Sequence, residues 1–180
     1  MKDTKLIIIA AVSIDGVIGI DNDIPWKVPE DFKHFRNTTI GNALIVGQNT
    51  FKTLPPKAFE DRQYFVINNE MLSKQSFSNK IYRFNDINTA LHVIFDEHFD
   101  KDKVYVAGGA MVYNTLIDYC DEAIITWINN EYPEGNKKFP IINLFTNFEI
   151  ILNDQEWQMS KSGIEYRIVH YKRTGQKKQI

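Results

Sequence analysis

Short apolar, β-branched runs recur along the chain, at positions 6–12, 43–47, 64–68, 81–84, 104–107, 123–128, 148–152 and 164–171. Continuous runs of this length suit strands buried on both faces of a sheet. The last run alternates, with Ile164, Tyr166 and Ile168 on one side, which suits an edge or antiparallel strand. Between the runs the period changes. Ile87, Ala90, Leu91, Ile94 and Phe95 form one helical stripe, and Val112, Tyr113, Leu116 and Ile117 form a shorter one. A further helix is expected to start near Pro29, and a short one at Asn49 or Thr50. Beyond about residue 128 only strands are expected. The pattern predicts an α/β fold: a mainly parallel central sheet with an antiparallel edge, flanked by helices in three layers.

A length of 180 residues suits one domain. We expect it to span 1–172, followed by a solvated, flexible basic tail over 173–180, since Lys172, Arg173, Lys177 and Lys178 cluster there. The net charge of −2 argues against a nucleic-acid partner. Cys120 is the only cysteine, so no internal disulfide forms, in keeping with a cytoplasmic protein. Its acidic setting marks it as structural. The first apolar run, near Lys2 and Lys5, is too short to span a bilayer and reads as a buried strand.

Candidate chemistry begins at "IPWKVPEDFKHF". Pro29 fits the first helical position. At about 100° per residue, Val28, Asp31, Phe32 and Phe35 share one face. Asp31 is either a first-turn acid favoured by the helix dipole or a half-buried carboxylate. The second suits two parallel hydrogen bonds to an amidine-like edge of a flat heterocycle. "LIVGQNTF" and "VYVAGGAMVY" each place glycine between a strand and a helix. Two such turns in one small domain can grip a pyrophosphate from both sides, which implies a dinucleotide. The histidines (His34, His92, His98, His170) lack ligand spacing, and no metal site is expected.

These stretches, with "IIIAAVSIDG", "DRQYFVIN", "IITWI" and "EGNKKFP", closely resemble the signatures of the dihydrofolate reductases, in family order and over nearly the whole chain. The resemblance implies reduction of 7,8-dihydrofolate to tetrahydrofolate with NADPH, by a monomer that antifolates such as trimethoprim inhibit. It assigns Asp31 to the pterin N3 and 2-amino group and to promoting N5 protonation, with Thr126 hydrogen-bonded to Asp31. Ile9, Ala10, Ala11, Phe32, Phe35 and Leu54 would wall the pterin and benzoyl pocket, and Arg62 would pair with the α-carboxylate of the glutamate tail. Trp26 would frame the site. Residues 17–24 would form a mobile lid, with Ile24 near the nicotinamide and Tyr113 beside it. For the cofactor the resemblance implies Ala11, Ile18, Gly19 and Asn22 on the lid side. It implies Gly47, Gln48, Asn49, Thr50, Asn68 and Asn69 from the first glycine turn and the following strand. From the second turn come Gly108, Gly109, Ala110, Met111, Val112, Tyr113 and Thr115, with the Gly108–Gly109 bond cis.

The chain departs from the family at informative places. Gln48, Asn49, Asn68, Asn69 and Met111 are neutral where basic or hydroxyl side chains are common. A 2′-phosphate ordinarily meets a cation. The expectation is weakened discrimination between NADPH and NADH, unless Lys52, Lys74 or Arg83 substitutes. Ala107 stands where a larger branched residue is common, which predicts a wider inhibitor pocket. Asn136 replaces a common Asp in the loop that supports the lid, which predicts altered lid dynamics. A pyrimidine reductase of riboflavin synthesis and a folate-binding module without a working cofactor site are the rival readings.

Overall fold

The apolar run that opens the chain becomes its central strand. β1 (Lys5–Ser13) has neighbours on both sides, and only Lys5 is fully exposed along it. The computed structural model describes residues 4–55, 61–68, 77–78, 80–96, 98–152 and 156–179. In chain order β1 is followed by β2 (Val17–Gly19), α1 (Pro29–Thr39), β3 (Ala43–Gly47), α2 (Gln48–Thr53), β4 (Gln63–Ile67), β5 (Phe77–Ser78) and β6 (Ile81–Phe84). Next come α3 (Ile87–Ile94), β7 (Lys103–Val106), α4 (Ala110–Leu116), β8 (Glu122–Ile128), β9 (Lys137–Lys138), α5 (Ile141–Asn147), β10 (Phe148–Leu152), β11 (Gln158–Met159) and β12 (Glu165–Arg173).

The main sheet runs β10-β12-β8-β1-β7-β3-β4-β6-β5, and β2 pairs β9 separately. From β8 to β6 every pair is parallel. Antiparallel pairs close both edges, β12 and β10 at one and the short β5 at the other. Sequence patterning foresaw only one such edge. From β1 the chain steps through α1, β3, α2 and β4 in one direction across the sheet. From β6 it returns through α3, β7, α4 and β8. Because crossover handedness is fixed, reversing direction changes the face on which the helices pack. Phe35 of α1 and Phe51 of α2 accordingly pack with Ile7, Ile9, Leu44 and Val66 on one face. Leu91 of α3 and Leu116 of α4 pack with Leu6, Ile8, Ile45 and Val106 on the other. The two series part at β1, β7 and β3, whose carboxyl ends open a crevice.

Three expectations change. Residues 141–147 form a helix, although only strands were expected beyond 128. Leu144 is its one fully buried side chain, too few inward positions for a visible helical period. β12 buries both faces: Tyr166 and Ile168 share a cluster with Trp26, while Val169 and Tyr171 enter the opposite core. The basic tail is anchored where carboxylates and carbonyls meet it. Arg173 closes β12, donates to the carbonyls of Ile117 and Cys120, and lies over the Phe148 ring. Lys177 Nζ pairs with Asp121 at 2.7 Å and Lys178 Nζ with Asp118 at 2.8 Å. Cys120 is buried, and desolvation pushes its thiol well above the ordinary range, which fits its structural reading.

Candidate active site

Val28, extended and buried, precedes Pro29, so α1 starts with Glu30 and Asp31 in its first turn and without a side-chain cap. This entry turns Asp31 toward β8. Burial raises its carboxyl above the usual 3.8, and a hydrogen bond with the Thr126 side chain offsets part of that rise. Thr126 is itself buried at the centre of β8, opposite Ala11 of β1 and Ile168 of β12. The half-buried reading of Asp31 therefore holds.

Apolar side chains flank the carboxyl. Ile9 is buried on the α1 face, with Phe35, Leu54 and Ala107 packed against the same cluster. Phe32 shares the helical face but leaves 56% of its surface exposed. Trp26 is buried against Val17, Val28, Ile128 and Tyr166, and its ring meets Tyr132 at 5.3 Å. Ala11 packs against this cluster and carries the wall toward β2. Ala10 is a correction. A strand points successive side chains to opposite faces, and Ala10 lies in the core beneath α3 and α4, away from the Asp31 side.

Arg62 is buried at the far end of α1, where Nε donates to Thr39 Oγ1 at 2.9 Å and Nη2 to the Arg36 carbonyl at 3.0 Å. These bonds fix the guanidinium against the last turn of the helix that carries Asp31.

The two glycine turns touch. Gly47 N–H donates to the Gly108 carbonyl at 2.7 Å, and the Gly108–Gly109 bond is cis, as expected. Gly108 has φ +97°, and a Cβ there would meet the Tyr113 ring at 2.9 Å; a Cβ on Gly109 would lie 3.1 Å from Thr50 Oγ1. Tyr113 and Thr50 leave little room for a side chain at the paired glycines, and the backbone there forms a cradle suited to close approach by a phosphorylated ligand. Tyr113 is fully buried, its hydroxyl donates to the Ile9 carbonyl at 2.8 Å, and its ring packs on Phe139. Burial and the nearby Asp31 push its phenol far up. The cradle and the Asp31 pocket thus share a wall.

The remaining cofactor positions divide. Gln48, Asn49 and Thr50 open α2, and Ala110 and Met111 open α4, with Asn49 and Met111 exposed. Val112 is buried in the core, with its Cγ2 3.5 Å from where a Cβ on Gly47 would lie, so its methyl group backs the first glycine turn. Thr115 faces outward and its hydroxyl donates to the Met111 carbonyl. Asn68 ends β4, its N–H bonded to the Phe84 carbonyl. Asn69 and Lys74 lie outside the described residues.

Residues 17–24 form β2 and the turn that follows it. Ile18 packs against the core, Gly19 pairs with Lys137, and Asn22 and Ile24 are exposed. Asp21 N–H donates to Asn136 Oδ1 at 2.8 Å, and Asn136 Nδ2 returns a bond to Asp21 Oδ1 at 2.7 Å. Sequence reasoning missed the stem of this segment. Ser13 Oγ donates to Asp15 Oδ1 at 2.5 Å, Tyr132 N–H to Asp15 Oδ2, and Lys138 sits 3.5 Å from the same oxygen. Burial raises the Asp15 carboxyl, but these bonds and the lysine charge outweigh it and the net direction is down. The only signal was the polar "SIDG" turn between two apolar runs.

Known proteins resemble this chain along most of its length. The family model described as dihydrofolate reductase matches residues 5–173. The dihydrofolate reductase of Mycobacterium tuberculosis (strain H37Rv) is 30% identical over 173 residues, 95% of this chain and 99% of its own. That of Mycoplasma genitalium is 33% identical over 128 residues, 71% of this chain and 78% of its own. A dihydrofolate reductase from Enterococcus faecalis, solved as a complex with NADP(H) and RAB-propyl, superposes with a TM-score of 0.77 at 23% identity. The match covers 97% of this chain and 99% of that one, and shows a shared fold.

Proposed function

The chain belongs to the dihydrofolate reductase family, and from that premise we propose that it reduces 7,8-dihydrofolate to 5,6,7,8-tetrahydrofolate with NADPH, Asp31 being the group that orients the pterin and promotes its protonation at N5. The observation that carries this reading is the Asp31 carboxyl, held out of bulk solvent beside Thr126 on the apolar face of α1.

NADPH, when bound, supplies a hydride to C6 of the pterin. The protein's share is position and dryness. Asp31 accepts from N3–H and the 2-amino group of the pterin, two parallel bonds to one carboxylate. Thr126 fixes the carboxyl's rotamer. Asp31, by holding the pterin in place, promotes protonation of N5 by solvent, and that proton balances the hydride delivered to C6. Ile9, Ala11, Phe32, Phe35, Leu54 and Trp26 exclude water from the reacting faces. The glycine cradle with Thr50 holds the pyrophosphate of the cofactor, Tyr113 backs its nicotinamide end, and Ile24 closes over it with the segment 17–24. Arg62, set by Thr39 and the Arg36 carbonyl, pairs with the α-carboxylate of the substrate's glutamate. Ala107 leaves room beside the inhibitor wall. On this reading the partners are small molecules only, folates and antifolates, and the enzyme acts as a cytoplasmic monomer.

Following the reduced-nicotinamide absorbance with dihydrofolate present tests the reading. One NADPH should disappear per dihydrofolate reduced, and Asp31→Asn should lower kcat/KM at least about a hundredfold. Turnover unchanged in Asp31→Asn would overturn it.

A further inference from the structure

We propose that Arg83, on β6, is the residue by which this protein tells NADPH from NADH, binding the 2′-phosphate of the adenosine ribose from beside Gln48. The inference rests on the proposed cofactor and adds the residue that selects it.

Every side chain that the cradle and the end of β4 present in the described residues is neutral: Gln48, Asn49, Thr50, Asn68, Met111. In α/β folds of this kind the ribose is read beyond the glycine turn, at the end of the next strand, and a 2′-phosphate calls for an arginine there. β4 is that strand, and β6 lies beside it in parallel with Arg83 opposite Val66. Val66 belongs to the face beneath α2, so Arg83 projects to the same side. Its Nη1 donates to Gln48 Oε1 at 2.9 Å, and its guanidinium carbon lies 5.1 Å from the centre of the Phe51 ring. The head of the side chain is thereby held at the first residue of α2, directly after the glycine of the first turn.

The pairing has a consequence for charge. Gln48 is neutral, so its bond fixes the guanidinium without cancelling it. Among the described residues no carboxylate pairs with Arg83. A guanidinium carries five N–H groups in a planar fork, and Gln48 uses only one of those. Phe51 supports one face of that plane, which reduces the freedom lost on gripping an anion. Gln48 thus orients the cation that the family more often supplies at its own position, and the sequence-based expectation of weakened discrimination gives way to retained discrimination by a relocated arginine. Lys52, further along α2, is exposed and has no comparable support.

Equilibrium binding tests this without turnover. Dissociation constants for NADPH, NADH, NADP+ and NAD+ would be measured by quenching of protein fluorescence, on the wild type, R83Q and R83K. The wild type should prefer each phosphorylated form at least thirtyfold. R83Q should reduce that preference to threefold or less by weakening NADPH and NADP+, with NADH and NAD+ shifted less than twofold. R83K should keep most of the preference. The wild-type preference should also fall with rising ionic strength, and that of R83Q should not. Equal weakening of all four ligands in R83Q would make Arg83 a packing residue and overturn the proposal, as would an unchanged preference. A protein that binds none of the four would instead sink the proposed function itself.

Discussion

The phenol of Tyr113 donates to the carbonyl of Ile9 across 2.8 Å, joining the helix after the second glycine turn to the strand that walls the Asp31 pocket. Both partners are buried. Tyr113→Phe strips the Ile9 carbonyl of that donor while keeping the ring, and should cost about 1–3 kcal/mol in urea unfolding. The same variant should change the binding of dihydrofolate and of cofactor together, since one bond braces both walls.

Asp31 is predicted to trade stability for function. Its folded carboxyl holds a proton more tightly than it does in the unfolded chain. Above the folded pKa the native state must carry a desolvated charge, so stability falls as pH rises through that value. Asp31→Asn removes the charge. Its melting temperature should exceed the wild type's at pH 7.5, the gain should shrink as pH drops through the folded pKa, and below 3.8 little of it should remain. Calorimetry across this range checks the sign; a variant less stable than wild type at pH 7.5 and equal to it in acid reverses it.

Gly108→Ala adds a methyl group at φ +97° and brings it within 2.9 Å of the Tyr113 ring. The left-handed backbone alone costs roughly 1–2 kcal/mol. We expect a lowered melting temperature and a cofactor affinity reduced more than tenfold, read by calorimetry and fluorescence quenching. Gly163→Ala is the control for backbone strain alone, because its added methyl group, at φ +82°, meets nothing within 4 Å.

Asn136 and Asp21 exchange two hydrogen bonds, one through the Asn136 amide nitrogen. Asn136→Asp keeps the oxygen that accepts from Asp21 N–H but sets a second carboxylate against that of Asp21. The segment should open more often at neutral pH, visible in relaxation dispersion of residues 17–24. Equal open populations in variant and wild type at neutral pH would show that the reciprocal bond does not hold the segment.

Much of this was legible in the chain. The central strands announced themselves because they are buried on both faces and read as unbroken apolar runs. Asp31 was found because helical spacing sets a lone charge beside Phe32 and Phe35, and the paired glycines because each stands between an apolar strand run and a helical pattern. What stayed hidden had weak or non-local causes. α5 buries one side chain per helix rather than a stripe. The family resemblance placed Ala10 in the pocket with Ile9 and Ala11, whereas strand alternation sends its side chain to the other core. Asp15 looks like any turn acid until Ser13, Tyr132 and Lys138, the last two far along the chain, converge on it. The contact of Arg83 with Gln48 joins β6 to α2 and cannot be read from either segment alone.

The account rests on the environment of one carboxyl group, and that group can be titrated. The side-chain carboxyl of Asp31, labelled with 13C and assigned by its disappearance in Asp31→Asn, can be followed by NMR across the acid range in the free protein. The account predicts a midpoint above 3.8, moved higher in Thr126→Val. A midpoint at or below 3.8, unmoved by that variant, would mean that Asp31 faces water and that the proposed pterin anchor is not one.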